Sequence, residues 1–229
     1  FFGRDDDHDL GFTANRDLPL TNVIRASTAA PTYFEPEFIK IAPGVEGVFV
    51  DGAVSPHNNP ALALLMLATI KGCGFRWPMG LDKMHILSVG TGTAVEKLEG
   101  KITARTSATM LALHSLKSLM VDCDNLVQLL MQWMGKANNP VRINSEFGDL
   151  SGDRVGPAPL FGYTRYDVRI DGDWLKENIG RDFSEQMLRD LARIDEPKVV
   201  EELLDVGRES AARQVKLEDL LAEGLAIPA

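Results

Sequence analysis

The sequence has little cysteine, no long apolar run and no excess of positive charge, and each shortage excludes a class of protein. Two cysteines in 229 residues are too few for a disulfide scaffold, and with four scattered histidines they show no metal-ligand spacing. The longest apolar run, residues 61–68, is far shorter than the roughly 18 residues of a membrane span. The net charge of −9 argues against nucleic acid as the main partner. We therefore expect a soluble protein, cytoplasmic or peripheral to a membrane.

Two catalytic motifs are also absent. The chain has no Gly-x-Ser-x-Gly nucleophile elbow, and residues 148–152 have the wrong spacing for one. The Gly-rich segment 88–93 lacks the Gly-Lys-Ser/Thr ending of a phosphate-binding loop.

The chain begins Phe1-Phe2-Gly3, without an initiator Met or a signal-peptide pattern, so we expect it to be the interior of a longer polypeptide.

The apolar segments that are present alternate between strand and helix patterns. Residues 47–52 predict a short β-branched strand that ends in a turn, typical of a buried parallel strand. The helix that begins near Pro60 is apolar almost all round, so we expect it to be buried. A second buried strand over 85–89 completes the order strand, helix, strand, which predicts a βαβ unit with parallel pairing.

The rest of the chain is predicted to be largely helical. One further strand is expected over 163–170, where apolar residues alternate. Helical patterns cover residues 18–30, 104–134, 184–194 and 199–222. We predict an α/β fold with a mainly parallel sheet flanked by helices, in one domain over 1–229 whose portion 95–229 is mostly helical.

Asp51 is the strongest candidate for chemistry in the chain. It lies where a predicted strand meets a turn, and ligands of open α/β sheets bind at the carboxyl ends of strands. A carboxylate there could accept a proton from a nucleophile or from water. An aspartate is a weak base at neutral pH, so this role would depend on positioning and desolvation. On these grounds a turn-forming role for Asp51-Gly52 is equally favoured.

Three segments together resemble the patatin-like phospholipase family. They read RASTAAPTYFEP at 25–36, FVDGAV at 49–54 followed by NNPA at 58–61, and ILSVGTG at 86–92. Each segment alone is weak, but their order and spacing make a chance match improbable. The resemblance covers about 23–93, and the helical remainder carries no motif that matches.

The resemblance implies a lipid acyl hydrolase with a Ser–Asp dyad, in which Asp51 is the general base. The Ser attacks the ester carbonyl and the acyl-enzyme is then hydrolysed, with no metal and no cofactor. The family's nucleophile elbow and oxyanion loop precede the first of the three segments, which places both upstream of Phe1. This chain then corresponds to the C-terminal part of a patatin-like domain, and alone it is expected to be inactive on its lipid or acyl ester substrate.

Two other interpretations stay open. The chain could be a truncated or non-catalytic patatin-like module that binds lipid or a partner protein. It could also be an unrelated α/β binding domain, which would make the three matches coincidental. A Gly-x-Ser-x-Gly upstream of Phe1 favours the enzyme, and its absence favours the binding module.

The remaining candidate residues are better explained by structure than by chemistry. Asn59 and Pro60 fit a helix cap, with Gly72 as the C-cap, and His57 fits a loop. The run at 5–7 of three aspartates fits a solvated loop better than a cation site. The methionines and Trp133 of 104–134 could form an adaptable surface for acyl chains or a bilayer, although a core helix is favoured.

Overall fold

The computed structural model describes residues 11–94, 103, 106–193 and 195–220. It divides the chain into two compact units. Unit 1 comprises Phe1–Trp77 and Ser107–Gln128, and unit 2 comprises Pro78–Thr106 and Leu129–Ala229. The architecture is α/β with a mainly parallel sheet, as the order of elements predicts.

Unit 1 is built around a β-hairpin and two short helices. Helix α1 spans Leu20–Ser27, strands β1 and β2 span Glu37–Ala42 and Val45–Phe49, and helix α2 spans Ala61–Thr69. The hairpin turns at Pro43-Gly44, where Gly44 has a φ of 74° that only glycine adopts freely. One apolar cluster joins α1 to the hairpin, made of Leu18, Ala26 and Ile39 with Val23, Ile41 and Phe49 packed against them.

The predicted βαβ unit is wrong because β2 pairs with β1 and not with the strand at 85–89. The two-residue turn before β2 brings the chain straight back beside β1, and such a connection permits only antiparallel pairing. The strand is also less buried than expected, since Val48 is 62% exposed.

Helix α2 forms where the pattern predicts it but is not buried all round. Its inner face consists of Ala61, Leu65 and Ala68, whereas its outer face is apolar and exposed. Asn59 is fully buried, and its side-chain Oδ1 accepts a hydrogen bond of 3.3 Å from the Ala61 N–H. Asn59 thus satisfies an N–H of the first turn of α2, as predicted, although the residue at the N-cap position is Pro60. The helix ends at Thr69, before the predicted C-cap Gly72.

Unit 2 contains the parallel sheet. Strand β3 spans His85–Val89, as predicted, and pairs in parallel with β6, Gly162–Tyr166. The sheet order is β3-β6-β5, where β5 is the short strand Lys136–Ala137. A second pair joins β4, Thr93–Ala94, to β7, Arg169–Ile170.

Three helices complete unit 2: α4 over Gly172–Ile179, α5 over Glu185–Leu191 and α6 over Val200–Gln214. Helices α5 and α6 fall within the predicted segments, whose residues 194, 221 and 222 lie outside the described ones. Helix α4 is not among the predicted helices, although Asp171 caps it through the Trp174 N–H at 3.0 Å and Gly180 ends it. Both are ordinary start and stop signals for a helix.

Helix α3 spans Ala108–Met134 and is only partly the core helix expected for 104–134; residues 104 and 105 lie outside the described part. Val127 and Met131 are fully buried. The apolar residues of its first turns are exposed, namely Met110, Leu111, Leu113, Leu119 and Val121. The core interpretation is therefore correct near the C-terminal end and wrong for the beginning of the helix.

Candidate functional site

Asp51 lies two residues beyond the end of β2, at the start of a 3-10 helix over Gly52–Val54. Its side-chain Oδ1 accepts a hydrogen bond of 2.8 Å from the Ala53 N–H, which fixes the carboxylate against the turn. Among the described residues no hydrogen bond engages the second oxygen, Oδ2, and the side chain is half-buried. The arrangement holds a carboxylate in place by one oxygen and leaves the other able to accept a proton.

The backbone of Asp51 connects two of the three segments that carry the resemblance. The Asp51 N–H donates a hydrogen bond of 3.0 Å to the carbonyl of Ala29, which is fully buried just after α1. Segment 25–36 is closed on itself, since Arg25 Nη2 donates to the Glu35 carbonyl at 3.1 Å and its guanidinium lies 5.4 Å from the Phe34 ring centroid. Residues far apart in sequence thus support the position of Asp51.

Ser55 acts as a cap, and neither Ser55 nor Ser27 has the setting of a nucleophile elbow. Ser55 Oγ donates to the Gly52 carbonyl at 2.7 Å and accepts from the His57 N–H at 3.3 Å, so it links two consecutive 3-10 turns. Ser27 ends α1 and is exposed. Neither residue lies on a strand-to-helix elbow, as the sequence predicts. His57 is exposed and belongs to the second turn.

The third segment, in unit 2, is organised around Asp167. The Asp167 carboxylate accepts hydrogen bonds from the N–H groups of Gly92 and Val168, at 3.0 and 2.9 Å. A Cβ at position 90 would overlap this carboxylate, so Gly90 is required for close approach. The Gly92 amide is thus already bonded to a carboxylate, which agrees with the absence of a phosphate loop.

Arg165 completes this arrangement and was not anticipated from the sequence. Its Nη2 lies 2.9 Å from Asp167 Oδ2, and its Nη1 donates to Ser88 Oγ at 2.7 Å. The Arg165 side chain is 9% exposed and that of Asp167 is 21% exposed, so the ion pair is largely desolvated. The only sequence signal is an Arg and an Asp two residues apart at the end of a strand, which a solvated pair would also show.

His85 forms part of a polar cluster on the other face of the sheet. Thr164 Oγ1 donates its proton to the Asp219 carbonyl at 3.1 Å. His85 Nε2 lies 3.0 Å from Thr164 Oγ1 and is therefore the donor in that hydrogen bond. Burial lowers the pKa of His85, and the nearby Asp219 carbonyl and carboxylate oppose this only in part. His85 is therefore a satisfied structural residue, as predicted.

The described residues offer no metal centre. Within them no group of three or more His, Cys, Asp or Glu side chains could hold an ion, and Cys73 and Cys123 are free thiols. The aspartate run at 5–7 lies outside the described residues. None of the helices in the described ranges has the length and apolarity to cross a bilayer.

Comparison with known proteins does not extend the resemblance. No protein-family model matches the chain, and no curated protein matches it. The resemblance to patatin-like phospholipases therefore stands on the three segments alone.

Proposed function

We propose that this chain is the C-terminal portion of a patatin-like lipid acyl hydrolase, with Asp51 as its general base. The observation that carries the proposal is the fixed Asp51 carboxylate, held by the Ala53 N–H at one oxygen and tied through its own N–H to Ala29. This geometry orients one carboxylate oxygen and joins two of the segments on which the resemblance depends. It supports a base whose strength comes from positioning.

In the proposed reaction the nucleophilic Ser is supplied by residues upstream of Phe1. Its hydroxyl oxygen attacks the ester carbonyl of the lipid while its proton passes to Asp51 Oδ2. Backbone N–H groups of the upstream Gly-rich loop stabilise the oxyanion. The protonated Asp51 then gives its proton to the departing alcohol as the ester C–O bond breaks. Water, deprotonated by Asp51, next attacks the acyl carbonyl, and as the bond to the Ser oxygen breaks Asp51 returns that proton to the Ser and the carboxylic acid leaves.

Asp51→Asn separates the catalytic role from the turn-forming role. Asn and Asp cap helical turns about equally well, and an Asn side-chain oxygen can still accept from the Ala53 N–H. The amide cannot take up a proton from Ser at neutral pH. The variant therefore removes the base and keeps the turn.

The experiment measures ester hydrolysis by the full-length protein that contains this sequence. We expect Asp51→Asn to lower kcat by about 100- to 10,000-fold, the usual contribution of a general base, with an unchanged unfolding midpoint. Asp82→Asn is the matched control, because Asp82 is 67% exposed, and it should retain full activity. Full activity of the Asp51 variant would refute the assignment.

The second candidate function is a non-catalytic module that binds lipid or a partner protein. The exposed apolar residues of α2 and α3 favour it, because such surfaces commonly mark interaction sites. A full-length protein that hydrolyses no ester under any condition, with its Asp51 turn intact, would support the module.

A further inference from the structure

The outer face of α2 is apolar and exposed. Leu64, Met66 and Leu67 are 54%, 40% and 37% exposed, and Ile70 continues the same face at 44%. A helix that is apolar on all sides is normally buried or set in a membrane, so an exposed apolar outer face is unusual.

The loop after α2 carries two exposed aromatic side chains. Phe75 and Trp77 are 65% and 60% exposed, with ring centroids 6.3 Å apart in an edge-to-face arrangement. The loop is fixed to the helix because the Trp77 N–H donates to the Ala68 carbonyl at 2.8 Å. The aromatic pair therefore lies beside the C-terminal end of α2, where Ile70 is exposed.

The charge of this region is opposite to that of the chain. Residues 52–81 contain no Asp and no Glu, although an even spread of the 33 acidic residues over 229 would place about four there. The cations of the same stretch are Lys71, four residues before Phe75, and Arg76, which lies between Phe75 and Trp77 in the sequence. The protein is acidic as a whole, but the segment that carries these exposed apolar and aromatic side chains has cationic residues and no acidic ones.

We propose that this surface docks onto an anionic lipid bilayer. The docking surface consists of Leu64, Met66, Leu67, Ile70, Phe75 and Trp77, with Lys71 and Arg76. Its apolar side chains would enter the headgroup boundary, where Trp is favoured, and the two cations would contact lipid phosphates. This deepens the proposed function and rests on it for the lipid nature of the substrate.

The exposed part of α3 does not share these properties. It is also apolar, but Asp122 and Asp124 follow its exposed residues and Lys117 is its only cation before them. An anionic bilayer would repel those carboxylates, so charge selects the α2 surface. Binding to a protein partner would give no general reason for residues 52–81 to lack acidic side chains.

The test measures binding of the full-length protein to vesicles of ether-linked phosphatidylcholine, with or without ether-linked phosphatidylglycerol. Ether lipids have no ester to hydrolyse, so binding is read independently of catalysis, and failure here leaves the hydrolase proposal intact. We expect binding that requires phosphatidylglycerol and weakens as salt rises. Lys71→Gln and Arg76→Gln should each weaken it about fivefold, and Phe75→Ala with Trp77→Ala about tenfold together.

The controls are Lys83→Gln, a cation beside Asp82, and Leu119→Ala on α3, and neither should change vesicle binding. Equal effects of Lys71→Gln and Lys83→Gln would overturn the proposal. So would binding that ignores phosphatidylglycerol, or a protein that leaves vesicles unbound and instead self-associates through Trp77.

Discussion

Unit 2 buries large side chains, whereas unit 1 buries mostly alanine. Of the nine buried apolar residues described in unit 1, five are alanine, and unit 2 has eleven of which none is alanine. The largest fully buried side chains of the described chain, Tyr163, Phe161, Met131, Leu175 and Ile179, all belong to unit 2. Unit 1 instead exposes much of its apolar surface, including the outer face of α2.

The two units also differ in how completely an aspartate carboxylate is hydrogen-bonded. In unit 2, Asp167 is bonded to two amides and to Arg165, so its carboxylate is fully committed to the fold. In unit 1, Asp51 is fixed by one amide and retains an oxygen for a proton. The Gly-rich segment at 86–92 is thus bonded to a buried ion pair of unit 2, whereas the Asp51 turn leaves one carboxylate oxygen without a hydrogen bond from the described residues.

The difference in packing between the two units predicts a large difference in the cost of removing an aromatic ring. Phe161→Ala should lower the free energy of unfolding by about 3–5 kcal/mol, because the buried ring packs on Gly135, where a Cβ would lie 2.6 Å from it. Phe75→Ala in unit 1 should cost about 1 kcal/mol or less, since that ring is exposed. Chemical denaturation of both variants measures the difference. Equal losses would mean that the two units do not differ in packing.

The second effect tests whether Asp167 is structural. Asp167→Asn leaves the desolvated Arg165 without its anion and should cost about 2–3 kcal/mol. Asp82→Asn removes an exposed ion pair and should cost less than about 1 kcal/mol. Thermal unfolding of the two variants checks this. If Asp167→Asn unfolds at the wild-type temperature, the Asp167 carboxylate is not required for stability and becomes a candidate for a chemical role.

The smallest effect is a pH dependence of unit 2. Burial lowers the pKa of His85 in the folded protein below its value of about 6.5 in the unfolded chain. The unfolded chain then binds more protons than the folded protein. The contribution of His85 to the free energy of unfolding is therefore complete above about pH 6.5 and is lost as the pH drops below that value. His85→Gln should reduce this slope. An unchanged slope in the His85 variant would contradict the buried cluster.

The sequence predicted the elements whose signals are local. Strand β3 has the predicted bounds, because its apolar run is short and bounded by a Gly-rich turn. The Asn59-Pro60 pair marked the start of α2. Strand β1 was missed, although Ile39 and Ile41 alternate with polar or exposed neighbours and Pro43-Gly44 marks a hairpin turn.

The rest depended on contacts between distant residues, which a periodic pattern does not contain. The parallel partner of β3 is β6, separated from it by about a third of the chain. The hydrogen bond between Asp51 and Ala29 and the pairing of Arg165 with Asp167 follow from the folded arrangement. The exposure of α2 was also unpredictable, because its composition is that of a buried helix.

Whether Asp51 activates a Ser can be read from the intact mass of the full-length protein after reaction with a fluorophosphonate, which labels an activated Ser. We expect one adduct on the wild-type protein and on Asp82→Asn, and little or none on Asp51→Asn in the same time. Labelling of Asp51→Asn at the wild-type rate, or no adduct on the wild-type protein, would contradict Asp51 as the base of a Ser hydrolase.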